Sequence, residues 1–309
     1  MSHFRHQALL YESQDELAAV AASFIEEGLT AGDAVLVAVP ERNRLLVRSE
    51  VGEAEGVRFI DMEEVGRNPA RIISVWERFV TETLGRGGTP RGIGEPIWPG
   101  RGEVEIDECE RHEALLNVAF DRSPPWALLC PYDAARLPGA VIERAAHTHP
   151  QIATSAGAAP SGRYSPSIGP EAAFAGAFPA PPPSAEGVSF GQADLAAVRN
   201  FVSERALRLG LDLGRAADLV TAANEVATNS IRHGGGAGTL RTWRENGGVV
   251  CEVRDAGRFT DPLSGRRFPP VGEPDGRGLW IANHLCDLVQ VRSSAAGSAV
   301  RVWMGQPAE

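Results

Sequence analysis

The chain has 309 residues and a formal net charge of −10, with 43% hydrophobic and 23% charged residues. This length predicts about two domains, each large enough to bury a core of its own. The acidic balance argues against sequence-independent binding to nucleic acid or to anionic membranes, since both need a basic surface, and it leaves a basic protein partner open.

Every basic residue is an arginine, because the sequence contains no lysine. This excludes a Walker-type phosphate loop and Schiff-base catalysis, which both need a lysine amine. The four cysteines are far apart and form no CxxC pair, so we predict neither a disulfide framework nor a zinc site. The N-terminus is polar and no apolar run approaches the ~20 residues of a membrane span, so we predict a cytoplasmic protein without a signal peptide.

Strands and helices alternate over residues 1–152. Ser13 and Glu16 form a capping box before a helix of regularly spaced apolar residues. Strands are predicted at 7–11, 34–40, 57–61, 91–98 and 126–133, and the later helices at 72–84, 107–121 and 139–147. The alternation predicts an α/β domain in three layers, with helices on both faces of a mainly parallel sheet.

Residues 153–186 are rich in Pro, Ala, Gly and Ser, which predicts a linker. The order of elements then changes over residues 187–309. Two helices, 192–209 and 215–232, precede a hairpin that turns through Asn246-Gly247. An irregular segment, a helix at 279–286 and two strands complete an α/β sandwich, with helices on one face of a mixed, largely antiparallel sheet.

Glu225 and Asn229 are four residues apart and therefore share one helix face. A glutamate there can act as a general base, and an asparagine oxygen suits Mg²⁺. Asp255 ends a strand, and Gly257 after it allows a tight turn. A carboxylate at this point can accept a hydrogen bond from an adenine amino group.

Gly276 and Gly278 precede a helix that begins at Leu279, where glycines let backbone N–H groups approach phosphate oxygens. Gly297-Ser298, between the last two strands, is interpreted as an ordinary hairpin turn. His233 lies near a helix C-terminus, where a histidine can act as a capping group.

In this order and at these distances, the motifs of residues 187–309 resemble the GHKL (Bergerat) ATPase family, most closely its anti-sigma-factor serine kinases. The resemblance implies that ATP and Mg²⁺ bind. It makes Glu225 the catalytic base, Asn229 the Mg²⁺ ligand and Asp255 the adenine reader. The remaining nucleotide-binding positions would be Gly257, Gly276, Gly278 and Leu279.

The same resemblance implies a lid over the nucleotide, Phe259–Asp275. Two interpretations of Arg266 and Arg267 stay open: they contact phosphates, or they are solvated lid residues. The family's first glycine motif often reads D-x-G-x-G. In this sequence Phe259 occupies the position of the second glycine. This departure bears on lid geometry and turnover more than on nucleotide binding.

The implied function is a regulatory protein-serine kinase that binds a sigma factor or phosphorylates an antagonist protein. Two alternatives stay open: an ATP-binding partner switch without kinase activity, and a histidine-kinase-like catalytic chain. A histidine kinase needs a phospho-acceptor histidine, and the residue whose surrounding sequence most resembles such a motif is His112. A gyrase-like enzyme would need a further transducer domain. Family members often form homodimers, and the sequence leaves the oligomeric state open.

The phrases GIGEPIWPGR, ECERHEALLNVAF, LLCPYDAARLP and HTHP resemble the MEDS sensory domain, found in regulators fused to such kinase modules. The resemblance implies a RecA-like α/β fold that has lost nucleotide chemistry, in agreement with the lack of glycine in the loop Glu12–Asp15. Polar side chains at strand ends are candidate contacts for a small-molecule ligand. These candidates are Glu95, Trp98, His112, Glu113, Asn117, Tyr132 and Asp133.

A metal site in this domain would have to draw on scattered residues whose spacing gives it no support. Those residues are Cys109, His112, Cys130, His147 and His149. We therefore expect His147 and His149 only to finish a helix.

Overall fold

The computed structural model describes residues 4–52, 54–165, 170–269 and 276–306. The chain divides into two compact units, Met1–Ser167 and Ile168–Glu309, and each has a sheet of its own. Within the described ranges, no helix is both long enough and apolar enough to cross a membrane.

The first unit alternates strands with helices. Its strands are β1 Phe4–Tyr11, β2 Asp33–Val39, β3 Val57–Asp61, β4 Thr89–Gly94, β5 Trp126–Asp133, β6 Gln151–Thr154 and β7 Gly157–Pro160. Its helices are α1 Gln14–Ala31, α2 Glu41–Val51, α3 Met62–Val65, α4 Ile72–Gly85, α5 Glu103–Ala119 and α6 Gly139–Thr148, with a 3₁₀ turn at Pro69–Arg71.

The strands form a seven-stranded sheet in the order β3-β2-β4-β5-β1-β6-β7. All neighbours are parallel except β7, which pairs antiparallel with β6. Every residue of β5 is buried, as expected for a central parallel strand covered on both faces. The predicted α/β class with a mainly parallel sheet is confirmed.

Local signals explain the ends of the first helix. The Ser13 hydroxyl accepts a hydrogen bond from the Glu16 N–H at 3.2 Å, and the Glu12 N–H donates to the Glu16 carboxylate at 2.9 Å. Gly32, at φ 80°, closes the helix in the left-handed conformation that glycine favours. The capping box predicted from the sequence is therefore present.

Gly92 and Gly94 in β4 let a large aromatic side chain lie on the sheet. A Cβ atom at either position would be 2.7 Å from the Trp76 ring of α4. Since such a contact is too short for any real Cβ, glycine is what allows Trp76 to be buried here.

The second unit contains α7 Pro170–Ala173, β8 Glu186–Gly191, α8 Leu195–Arg208, α9 Leu213–His233, β9 Ala237–Glu245, β10 Gly248–Asp255, α10 Arg277–Leu285, β11 Leu288–Ser294 and β12 Gly297–Met304. The strands form an antiparallel sheet in the order β11-β12-β10-β9-β8. Helices α8, α9 and α10 share one apolar core with this sheet. The predicted α/β sandwich is confirmed.

Parts of the segment predicted as a linker belong to the two units. In the first unit, Gly157–Pro160 pairs with β6. In the second, the ring of Phe178 lies 4.4 Å from the guanidinium carbon of Arg301, which also donates a hydrogen bond to the Pro179 carbonyl. Composition alone does not show such contacts, because backbone pairing and a single aromatic anchor leave the Pro, Ala and Gly content unchanged.

Candidate functional site

Helix α9 presents two of the predicted site residues to helix α10. Its N-terminus is capped by the Asp212 side chain, which accepts from the Arg215 N–H at 2.9 Å. Glu225 and Asn229 are partly buried on α9. A Cβ atom on Gly278 of α10 would lie 2.9 Å from Glu225 Oε2 and 3.2 Å from Asn229 Nδ2. The glycine thus lets the start of α10 approach both side chains.

Asp255, the last residue of β10, is held by hydrogen bonds on both carboxylate oxygens. Oδ1 accepts from the Gly257 N–H and from the Ser298 hydroxyl, each at 2.8 Å. Oδ2 accepts from the Ser230 hydroxyl at 2.6 Å. These three hydrogen bonds therefore fix the position of the carboxylate.

The turn after Asp255 is tightly packed against the end of α9. The Ala256 N–H donates to the Gly234 carbonyl at 3.1 Å. A Cβ atom on Gly234 would lie 2.5 Å from Asp255 Cγ, and one on Gly257 would lie 2.7 Å from Gly234 Cα. Two facing glycines therefore bring the turn against the helix, and sequence reasoning singled out only Gly257.

A cavity of about 570 Å³ connects these elements. Of the predicted site residues, it is lined by Asn229, Asp255, Gly257, Gly276 and Leu279. Glu225 and Gly278 are not in this lining, although Gly278 lies close to both Glu225 and Asn229. Gly276 precedes α10 at φ 85°, and it has no side chain that could cap the first N–H groups of the helix.

The segment predicted as a lid is only partly described, since residues 270–275 lie outside the described ranges. Its first part packs on α10: the Asn283 side chain donates to the Gly265 carbonyl at 2.8 Å, and Leu263 is buried. Arg267 lines the cavity, whereas Arg266 does not. The site also includes His233, which lines the same cavity and was predicted only as a helix cap.

Sequence reasoning missed the residues that hold Asp255. Ser230 is one residue beyond Asn229, and nothing local marks it as a partner of a strand 25 residues away. Ser298 was interpreted as part of a hairpin turn. It does follow the turn between β11 and β12, but its position opposite Asp255 in the β10–β12 pairing brings its hydroxyl to the carboxylate.

In the first unit, the buried Glu95 forms a hydrogen-bonded group with Asn43 and Tyr11. It accepts hydrogen bonds from Asn43 Nδ2 at 2.7 Å and from the Tyr11 hydroxyl at 3.3 Å. Burial raises the pKa of Glu95 to about 8, although the hydrogen bonds from Asn43 and Tyr11 lower it. Asp133, at the end of β5, raises the same pKa further through its negative charge.

Glu113, Asn117 and Tyr132 belong to a second group, around two buried histidines. His6 lies 3.0 Å from Glu113 Oε2 and 3.1 Å from Asn117 Oδ1. His149 lies 3.2 Å from the same Glu113 oxygen, and its ring stands edge-on to Tyr132. His149 thus does more than finish a helix.

The other candidates of the first unit lie apart from both groups or make different contacts. Trp98 stacks under the Arg101 guanidinium, whose carbon is 4.2 Å from the ring centroid. The Cys109 thiol donates to the Pro96 carbonyl, and His147 is exposed. His112 is buried, which argues against its accepting a phosphoryl group from a separate catalytic domain.

The comparisons with known proteins match the two units separately. The family model described as "MEDS: MEthanogen/methylotroph, DcmR Sensory domain" matches residues 5–150. The model described as "Histidine kinase-like ATPase domain" matches residues 188–304. No curated protein matches the chain.

Among solved structures, the chain is similar to "the RsbU and RsbW domains of Rv1364c from Mycobacterium tuberculosis", with 19% identity and a TM-score of 0.32. This similarity covers 40% of the present chain and 33% of the other, so the chain spans about a third of that neighbour. The two family matches carry the assignment: the chain joins an N-terminal MEDS sensory domain to a C-terminal histidine kinase-like ATPase domain.

Proposed function

We propose that the second unit binds Mg·ATP and that the chain acts in the cytoplasm as a regulatory protein-serine kinase. In this proposal it binds a sigma factor or phosphorylates an antagonist protein, and the first unit adjusts that balance in response to a small ligand. One observation carries the proposal: Asn229, Asp255 and the glycine-led start of α10 surround a single cavity.

The residues present fit a nucleotide. The cavity volume of about 570 Å³ lies in the ordinary range for small-molecule sites. The fixed carboxylate of Asp255 suits the amino group of adenine. The start of α10, with Gly276 before it and Gly278 inside it, offers backbone N–H groups and the positive end of the helix dipole to phosphates.

The chemistry would depend on positioning. Bound Mg·ATP would supply the phosphoryl group that is transferred. Asn229 would give its amide oxygen to Mg²⁺. Glu225, one helical turn earlier, would take the proton of the attacking serine hydroxyl, and Gly278 leaves room for both side chains.

The first test is calorimetric titration of the full chain with Mg·ATP. We expect Asn229→Ala to weaken binding at least about 10-fold, since it removes a metal ligand. Asn224→Ala is the matched control, because Asn224 lies on the same helix and accepts a hydrogen bond from Arg199 instead. Equal binding by wild type and Asn229→Ala would contradict the assignment of Asn229.

The second test separates binding from transfer. With γ-labelled ATP and the antagonist protein, wild type should yield acid-stable phosphoserine. Glu225→Gln should bind Mg·ATP normally and lose transfer about 100-fold or more, because a general base contributes on that order. Acid-labile label on the chain itself would favour a histidine-kinase-like reaction instead.

A specific observation favours the alternative of a partner switch without kinase activity. Phe259, at the position of the family's second glycine, donates its N–H to the Ser293 hydroxyl at 3.0 Å. Its ring packs 5.4 Å from that of Phe174. The hydrogen bond anchors the start of the lid segment to β11, and the ring contact anchors it to the residue that follows α7. Mg·ATP binding without phosphoserine would support this alternative.

A further inference from the structure

A cluster of four buried side chains in the first unit lies outside the proposed nucleotide site. His6, Glu113, Cys130 and His149 each offer one nitrogen, oxygen or sulfur atom, and these atoms all lie within 4.8 Å of one another. They come from β1, α5, β5 and the residue that follows α6. The fold, and no sequence motif, brings them together.

Hydrogen bonds fix the tautomer of His6. The Asn117 amide donates through Nδ2 to the Thr148 carbonyl at 2.8 Å, so its Oδ1 must be the atom that faces His6 Nδ1 at 3.1 Å. Because Oδ1 can only accept, His6 carries its proton on Nδ1. In the neutral ring, the lone pair is then on Nε2.

The same reasoning applies to His149. Its Nδ1 lies 2.8 Å from the Ala145 carbonyl oxygen, which can only accept, so Nδ1 carries the proton. Its Nε2 lies 3.2 Å from Glu113 Oε2 but lacks the alignment of a hydrogen bond, and the ring is fully buried. His149 Nε2 is therefore a second unprotonated nitrogen of the cluster, and it has no hydrogen-bond donor.

Two unprotonated ring nitrogens thus lie 3.0 and 3.2 Å from one carboxylate oxygen. Acceptors at this separation repel one another, and water cannot relieve the repulsion because all three residues are buried. A positive charge among them would turn each repulsion into an attraction. The charge is either a proton or a metal ion.

We propose that His6, Glu113, Cys130 and His149 bind one divalent transition-metal ion of the zinc class. Ligand bonds of ~2.0–2.3 Å in a tetrahedron place two N or O ligands about 3.3 Å apart and an S and N pair about 3.6 Å apart. The observed separations are 3.0 and 3.2 Å from Glu113 to the histidines and 3.4 Å from Cys130 to His6. Three of the six separations are thus close to those of a tetrahedral site, and all six are within 4.8 Å.

Charge and surroundings agree with a metal. On binding, Cys130 loses its thiol proton to solvent, and the thiolate with the Glu113 carboxylate balances the two positive charges of the ion. Asn117 and the Ala145 carbonyl hold the two Nδ1–H groups, as outer partners of metal-bound histidines commonly do. Since all four ligands are buried, the site is closed and structural.

The test uses the full chain, freed of metal with a chelator and titrated with Co²⁺. We expect binding of one ion per chain, with tetrahedral d–d bands and a sulfur-to-cobalt charge-transfer band, and displacement by Zn²⁺. This measurement on wild type needs no variant to fold. A chain that shows no bands with excess Co²⁺ and no retained Zn²⁺ would overturn the proposal and assign the positive charge to a proton.

Variants then locate the ion. Cys130→Ser should lose the charge-transfer band, and Glu113→Gln should weaken Co²⁺ binding more than Asn117→Ala, which acts from outside and should cost about 10-fold. Cys109→Ser and His147→Gln are matched controls that leave binding unchanged. Retention of the charge-transfer band in Cys130→Ser but not in Cys109→Ser would contradict the assigned ligands.

Discussion

The neighbours of Asp255 hold its carboxylate in one position by hydrogen bonds to both oxygens. Replacement by asparagine keeps the shape, and Oδ1 can still accept from Gly257 and Ser298. Ser230 can donate to the Val226 carbonyl instead, so the fold should tolerate the change. The neutral amide loses an acceptor, and we expect Asp255→Asn to bind Mg·ATP about 10- to 100-fold more weakly in calorimetry.

The unfolding free energy of Asp255→Asn, measured with urea, should stay within about 1 kcal/mol of wild type. Asp194→Asn removes the same charge at an exposed position that accepts from the Gly191 N–H. It should leave nucleotide binding unchanged. An equal loss of affinity in both variants would point to net charge and not to the Asp255 carboxylate.

Gly278 offers a second prediction, in which stability and activity separate. Alanine at a helical position is favoured over glycine by up to ~1 kcal/mol. The new Cβ, however, would be 2.9 Å from Glu225 Oε2 and would displace the Glu225 and Asn229 side chains. We expect Gly278→Ala to fold at least as stably and to lose phosphoryl transfer at least about 10-fold.

Gly139→Ala is the control, since Gly139 begins α6 and a Cβ there meets nothing within 4 Å. Phosphoryl transfer and circular dichroism should show no loss in this variant. Normal transfer by Gly278→Ala would mean that the close approach of α10 to α9 does not matter for the reaction.

For single residues, the sequence predicts those that belong to a local motif. Glu225 and Asn229 follow from helical spacing, and Gly276 and Gly278 from their place before a helix. The sequence could not predict the roles of Ser230, Ser298 and Gly234. Nor could it predict the buried cluster of His6, Glu113, Cys130 and His149. Their roles depend on which strands are neighbours, and β1 meets Cys130 and His149 only because it lies between β5 and β6.

Elements with strong local signals were predicted well, and those without them were missed. The hairpin between β9 and β10 turns through Asn246 at φ 49° and Gly247 at φ 78°, as its Asn-Gly pair predicts. Strands β6, β7 and β8 were not predicted. They are short or rich in Gly, Ala and Pro, and they form because an edge of an existing sheet offers backbone partners.

Strand β10 carries a buried carboxylate that belongs to no motif. Glu252 accepts from Arg301 Nε at 2.7 Å and from Arg254 Nε at 2.6 Å. Glu252→Gln would leave the largely buried Arg301 without its counter-charge. We expect a loss of about 3 kcal/mol in the urea unfolding free energy, as for other broken buried pairs.

Glu204→Gln is the matched control for this element. It breaks an exposed ion pair with Arg208 on α8 and should cost less than about 1 kcal/mol. If Glu252→Gln were as mild as Glu204→Gln, the ion pairs on β10 would contribute little, and the packing around Phe178 would have to hold this face of the sheet.

The two units of the molecule use their ionisable groups differently. In the second unit, Glu225 and Asp255 are partly exposed, and Asp255 lines the cavity. In the first unit, Glu95, Glu113 and His149 are buried in the interior. When an ionisable group is buried, the free energy of unfolding depends on the proton or ion that neutralises it. Such a dependence suits a sensory domain.

For Glu95, the direction in which stability changes with pH can be predicted and tested. Burial raises its pKa in the folded chain to about 8, above the value near 4.5 that it has when exposed. The folded state therefore holds this proton more tightly, so its contribution to stability is full below about pH 4.5 and is lost as the pH rises towards 8. Glu95→Gln should lack this pH-dependent contribution. Between pH 5 and pH 8, the unfolding free energy of wild type should therefore fall by roughly a few kcal/mol more than that of the variant. Urea unfolding across this range measures the difference, and parallel pH profiles for the two proteins would show that Glu95 is ionised in the folded state.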